Sequence, residues 1–285
     1  MATKKTTGKA LAPSGGKSVT TTKGFRADAG RGLEGATQEA FAVPFLIVLQ
    51  KGSPQVDEAS PEMIKGAKAG MFFESVSKKF HDGKKGIIFI PCAYRWVFLR
   101  WGPRGTDNAG FKGELKPADV EEMRAKGEIK EGDRGRLYVP LENGTINEKK
   151  CDRVSDTRNH YGLLVDPEAE EYIRILLLVS STQIKKSRNM NTALDNIRAQ
   201  DEEGRYKPPT FSQKVKLTTV AEANDLGSWF GIDYALAGGL DPDNEFEAGL
   251  YAAGRAFNQT VSKGQVVANY DQAGEGGATE DRKGF

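Results

Sequence analysis

The segment Gly86–Trp101, GIIFIPCAYRWVFLRW, restricts the fold more than any other. It is rich in β-branched and aromatic residues and reads as a strand. Its second half, Cys92–Trp101, holds two tryptophans, a tyrosine, a phenylalanine and two arginines. A strand buried on both faces does not carry two arginines, and one exposed on both faces does not carry so many rings. Side chains alternate along a strand, so the residues divide into two sets. Tyr94, Trp96, Phe98 and Arg100 form one face; Arg95, Val97, Leu99 and Trp101 form the other. We take the Val97/Leu99 side as the core side. The opposite assignment, with the three rings inward and Val97/Leu99 facing an insertion, is equally compatible with the alternation.

The rest of the chain supplies strands to pair with this one. Phe41–Gln50 (FAVPFLIVLQ), GMFFESVS, GRLYVPL, HYGLLVD, EYIRILLLVSS, KVKLTTV and SWFGIDYAL all read as strands. HDGKKG reads as a hairpin connection and ENGTI as a tight turn. Residues 105–135 change character and read as a helical insertion, with Pro117 in the first turn of a short helix. Thr182–Gln200 is predicted as a helix capped by Ser181 or Thr182, with Ile184, Leu194 and Ile197 at helical spacing. DPDNEFEAGLYAAGRAFNQTVSKG reads as another, with acids at its N-terminal end. Residues 1–40 read as a disordered basic arm, with six basic residues and no acid up to Arg26. The core is expected over 41–264 and a flexible tail over 265–285. The fold class is mainly β with α insertions (α+β), arranged as a sandwich or small barrel.

Charge narrows the function. The net charge is only +2, but it is unevenly placed. Residues 78–104 carry Lys78, Lys79, Lys84, Lys85, Arg95, Arg100 and Arg104 against Asp82 alone. Lys185, Lys186 and Arg188 sit in the first two turns of the predicted helix, where cations oppose the helix dipole and fold stability does not explain them. Lys214 and Lys216 follow, with Tyr206 and Phe211 nearby. Segregation of this kind points to a polyanion partner. Three rings beside an arginine on one face suit stacked bases, at about 1–3 kcal/mol each, with Arg95 and Arg100 on phosphates. Lys84 and Lys85 would rim that groove from their hairpin. Trp229 and Phe230 are either a further stacking pair or core.

Catalytic motifs are not supported. LAPSGGKS (Leu11–Ser18) lacks the first glycine of a phosphate loop, and DPDNE lacks the glycine of a calcium loop. His160 has no G-x-S-x-G to accompany it. Cys92, Cys151, His81 and His160 have no zinc spacing, so neither metal nor cofactor is expected. The two cysteines fit a reducing compartment, and no apolar run is long enough for a membrane helix, so a cytoplasmic location is expected.

With these residues in view, the chain resembles phage-encoded single-stranded-DNA-binding proteins. The resemblance rests on VPFLIVLQKGSPQV, GAKAGMFFESVS, GIIFIPCAYRWVFLRWGPR, SSTQIKKSRNMNTAL and KLTTVAEANDLGSWFG, in one order over about 43–231. It implies an OB-fold-like small barrel, no catalysis, and a role coating single strands in DNA replication, recombination and repair in the host cytoplasm. It also implies an acidic C-terminal tail with a final aromatic that docks replication proteins. Phe285 takes the aromatic place here, and Asp271, Glu275, Glu280 and Asp281 the acidic one, with Arg282 and Lys283 intervening. A structural or virion-assembly protein, a nucleic-acid-processing enzyme or its accessory factor, and an RNA binder are the alternatives. If Arg95, Arg100, Lys185, Lys186 and Arg188 each neutralise one phosphate, log K for oligo-dT should fall with log[salt] at a slope of about −3.5. A slope near zero in a fluorescence titration would remove the electrostatic contribution.

Overall fold

The computed structural model describes residues 31–32, 43–225, 227–266 and 268–270. Apart from residues 31–32, the expected basic arm lies outside the described residues, as does most of the expected tail, including Glu280, Asp281 and Phe285. The architecture is mainly β, with three α-helices among the described residues. Its spine is the antiparallel pair β4 (Ile87–Gly102) and β8 (Arg153–Asp166). β9 (Glu171–Ser180) returns from β8 as the predicted hairpin. β1 (Phe45–Val48) then pairs in parallel with β9 and antiparallel with β2 (Phe72–Glu74), which pairs with β3 (Phe80–His81). On the other side β4 pairs with β12 (Gln213–Asn224), and β12 with β13 (Gly227–Gly239). The sheet order is thus β13-β12-β4-β8-β9-β1-β2-β3, while β10 (Ala199–Asp201) and β11 (Gly204–Tyr206) pair as a separate two-stranded sheet.

HDGKKG does not close a hairpin as expected. β4 pairs with β8, β12 and β5 (Gly110–Leu115), and not with β2 or β3. Nor are the main strands short: β4 has 16 residues and β8 has 14. The expected OB-like barrel is matched only as far as a curled half-barrel. Side chains draw the two flanks of the curl together. The Gln50 amide donates to the Phe230 carbonyl and accepts from the Phe230 N–H, each at 2.8 Å, substituting for a strand neighbour. Thr219 donates to the Gly70 carbonyl at 2.5 Å. Trp229 and Phe230 therefore belong to this closure; the Trp229 indole donates to Glu222.

Each face of the sheet has its own core. One face carries Ile90, Val97, Leu99, Tyr161, Leu163 and Leu178, covered by α3 (Glu245–Ser262) through Leu250, Phe257 and Val261. Asn244 caps α3 by accepting from the Glu247 N–H, and Glu245 and Glu247 occupy the first turn, as the sequence predicts. Tyr270, inside the expected tail, is buried on this side, donates to Glu114 and accepts from Asn159. The concave face carries Leu46, Phe72, Phe89, Leu177 and Leu217, plugged by Met190 and Leu194 of α2 (Ile184–Asp195). α2 has no side-chain N-cap. A 3-10 turn over Ser181–Gln183, with Ser181 at φ 54°, stands where a capping Ser181 or Thr182 was expected. The insertion folds as α1 (Pro117–Ala125), β6 (Lys130–Glu131) and β7 (Leu137–Tyr138), and β7 pairs with β8.

A β-bulge decides which β4 residues face which core. The register against β8 shifts between Pro91 and Ala93. Pro91 has no N–H to give the ladder and is tolerated at a bulge. Ile90 and Cys92 both join the α3 side, after which the alternation continues with Val97, Leu99 and Trp101 on that side. Gly162 lies opposite Pro91. A Cβ there would overlap the Phe89 ring and lie 2.5 Å from the Ile90 carbonyl oxygen. Gly162→Ala should therefore cost about 1–3 kcal/mol through overpacking, read as a lower denaturation midpoint at unchanged m-value.

Candidate nucleic-acid interface

The bulge leaves Tyr94, Trp96, Phe98 and Arg100 on the concave face, opposite His160, Arg158, Asp156 and Val154 of β8. Trp96 is 43% exposed, yet its ring is held. Its indole N–H donates to Asp156 Oδ1 at 2.8 Å, and the Arg158 guanidinium lies 4.1 Å from the ring centroid. Arg158 in turn pairs with Asp156 at 3.0 Å, and its side chain is only 5% exposed. A cation under the ring and an acceptor at its edge fix the indole's orientation. Tyr94 is also 43% exposed, its ring 5.2 Å from that of His160. His160 Nε2 and Ser187 Oγ are 2.7 Å apart, which ties the strip to α2. Buried Arg158 Nε has no hydrogen-bond partner.

Burial pushes the Asp156 carboxyl above its usual range, against the pull of Arg158, the Trp96 indole and Arg188. Burial, helped by the charge on Arg158, depresses His160 to about 4, so it is neutral at pH 7.

The predicted site residues separate. Lys185 and Arg188 are exposed on α2, and Arg188 is close enough to act on Asp156. Lys186 is paired with Glu222, which also accepts from Gln183 and Trp229. Phe98 is 8% exposed, buried against Val120, Ile129 and Val154 beneath the insertion, and offers no open ring face. Arg95 points to the opposite side: it donates to the Val261 carbonyl at the C-terminal end of α3 and lies 5.7 Å from the Tyr161 ring centroid. A cation there complements the helix dipole and has a structural role. Arg100 pairs with Asp152 at 2.7 Å. Lys84, Lys85, Lys214 and Lys216 lie by the start of β4, and Lys216 is paired across the ladder with Ile88. That is roughly 30 Å from Trp96 at the rise of a strand, so they do not rim the ring strip. Lys214 pairs with Glu247 at 2.6 Å, and Lys85 lies 3.6 Å from Glu168 in a fully exposed pair.

Beside Trp96 lies a cleft of about 380 Å³ that the sequence did not reveal. Phe98 and Val154 form its floor, and Arg124, Arg134, Arg136 and Arg153 line it with Glu131 and Asp156. Ser180, Ser181 and Ile184, leading into α2, form part of the facing wall. Its arginines come from α1, the turn after β6, and β8, so no single window of sequence is strongly basic. The only local signal is DRGR at 133–136.

The chain thus carries two exposed rings on its sheet beside an arginine-lined cleft. By sequence it matches the profile of the Pam3 phage gp34-like protein family over residues 15–267 and belongs to that family. No curated protein matches it, and no solved structure does. Among the described residues no helix is long and apolar enough to cross a membrane.

The His160 environment makes a pH prediction. The folded value, about 4, lies below the unfolded one near 6.5. The unfolded chain therefore binds the proton first. This contribution to stability is complete above pH 6.5 and is lost on acidification toward pH 4, at up to about 1.4 kcal/mol per pH unit. His160→Gln, which keeps a partner for Ser187, should flatten the stability profile between pH 6.5 and 4 in urea titrations.

Proposed function

We propose that this phage-family protein binds single-stranded DNA without chemistry and without strong sequence preference. The observation that carries the reading is Trp96, a large ring that is open to solvent yet held by Asp156 and Arg158. A tryptophan kept exposed and oriented in this way makes little sense as core but suits a base that stacks on its free face. Tyr94 adds a second exposed ring two residues away, about 7 Å along the strand. Lys185 and Arg188 provide cations for the sugar–phosphate chain. This use of a curled sheet face resembles that of OB-folds, and with it comes the proposed role of coating single strands in phage replication, recombination and repair in the host cytoplasm. Docking of replication proteins by the segment ending in Phe285 belongs to the same proposal.

One observation favours a subunit in an assembly instead. β13 is an edge strand whose exposed Ala235, Leu236 and Ala237 carry no charge to discourage pairing. In that reading a large assembly forms and single strands do not bind.

Fluorescence anisotropy of labelled dT12 with the full chain tests the reading. Trp96→Ala should weaken binding by about tenfold or more, and Tyr94→Ala by a smaller factor, given 1–3 kcal/mol per stacked base. Phe98→Leu should lower the denaturation midpoint, since the ring is buried against Val120, Ile129 and Val154. Unaltered affinity in a folded Trp96→Ala variant would overturn the stacking mechanism.

A further inference from the structure

We infer that the arginine cleft between the insertion and β8 is a second anion-binding station, taking consecutive phosphates of the strand whose bases stack at Trp96. The inference rests on the single-strand reading above and extends it to residues outside the ring strip. In the β4–β8 ladder Trp96 lies opposite Arg158, and the next pair on the same face, Phe98 and Asp156, forms part of the cleft wall and floor. The cleft therefore begins about 7 Å from the stacking ring, within reach of the adjacent phosphates.

Its charge is out of balance. Arg124, Arg134, Arg136 and Arg153 face Glu131 and Asp156, four cations against two acids. Arg124 is paired with Glu131 at 3.4 Å, and Asp156 already holds Arg158 and the Trp96 indole. Arg136 bonds the Tyr138 hydroxyl and Arg153 also has a partner, but the lining as a whole still carries two more cations than acids. A cleft lined by an excess of one sign focuses the field and concentrates anions. The backbone agrees with this use. Arg134 adopts φ 59° and Ser181 φ 54°, left-handed conformations that are costly for residues with a side chain, and both line the cleft. The facing wall, Ser180, Ser181 and Ile184, leads into α2 and brings its exposed Lys185 and Arg188 to that side. Arginine, with its planar fork of donors, is the cation best suited to phosphate oxygens.

Two phosphates at Lys185 and Arg188 and two in the cleft give a salt slope of about −2.8 at 0.7 per phosphate on single strands. The experiment is an anisotropy titration of labelled dT12 and dT4 against the full chain, from low to high salt. Arg134→Gln/Arg136→Gln should bring the dT12 slope to about −1.4 and weaken dT12 at low salt by more than tenfold, with dT4 affected little. Lys84→Gln/Lys85→Gln, an equal loss of charge far from Trp96, should change neither. If the first double variant fails to fold, Arg134→Gln alone carries the same expectation at half the slope change. A dT12 slope equal to that of the unaltered protein, or an equal loss for both oligonucleotides or in both double variants, overturns the cleft. The stacking reading fails separately, through unaltered binding in Trp96→Ala, and an unaltered protein that binds neither oligonucleotide overturns both.

Discussion

The antiparallel ladder between β4 and β8 is the constraint on which the other features depend. It runs from Ile88 opposite Val165 to Trp101 opposite Arg153, and every packed layer uses it. α3 covers one face of it and α2 part of the other, while the insertion covers Phe98 and Val154 at its far end. Side chains have a period of two along a strand, so one extra residue exchanges the faces for everything beyond it. The bulge at Pro91–Ala93 is that residue. Without it, the face that carries Phe89 would continue through Val97 and Leu99, and Trp96 would lie under α3. Gly162 supports the arrangement by leaving room for the Phe89 ring.

Between the apolar plug of α2 and the apolar pad under α1, the concave face holds a file of polar groups: His160, Arg158 and Asp156. Burying them is unfavourable unless they are partnered. Most of that demand is met internally, by Ser187, by the Arg158–Asp156 pair and by the Trp96 indole. The consequence is a rigid tryptophan whose inner face touches a cation and whose outer face is open. Rigidity matters for binding, because a side chain already ordered loses less entropy when a ligand arrives. The same file separates the two apolar regions and leaves the arginine cleft beside it. Stacking and phosphate contacts would then share one continuous surface.

Much of the fold was legible. The β8–β9 hairpin, the β12 and β13 strands and the acid-rich start of α3 follow from apolar alternation and from the preference of carboxylates for helix N-termini. Splitting Cys92–Trp101 into faces put Val97 and Leu99 in the core and left Tyr94 and Trp96 open. The same split failed for Phe98, because alternation says which side a residue is on and not what else covers that side; residues 117–129 do so here. The cations were the least legible. Lys186, Lys214, Arg95 and Arg100 look alike in sequence, but each has a structural partner brought from far along the chain: Glu222, Glu247, the Val261 carbonyl and Asp152. HDGKKG misled because turn chemistry marks a reversal and does not choose the partner strand.

The sequence by itself determined a β-rich chain, the two-sided character of the ring strand and the uneven placement of its cations, since all three depend on local period and composition. Tertiary structure alone decided which rings stay open, which cations are neutralised and where four dispersed arginines meet. Those outcomes depend on the register of β4 against β8 and on the insertion folding back over its end. The first relates residues far apart in sequence, as with Trp96 and Asp156, and the second brings Val120 and Ile129 over Phe98 and Val154, so no local pattern records them.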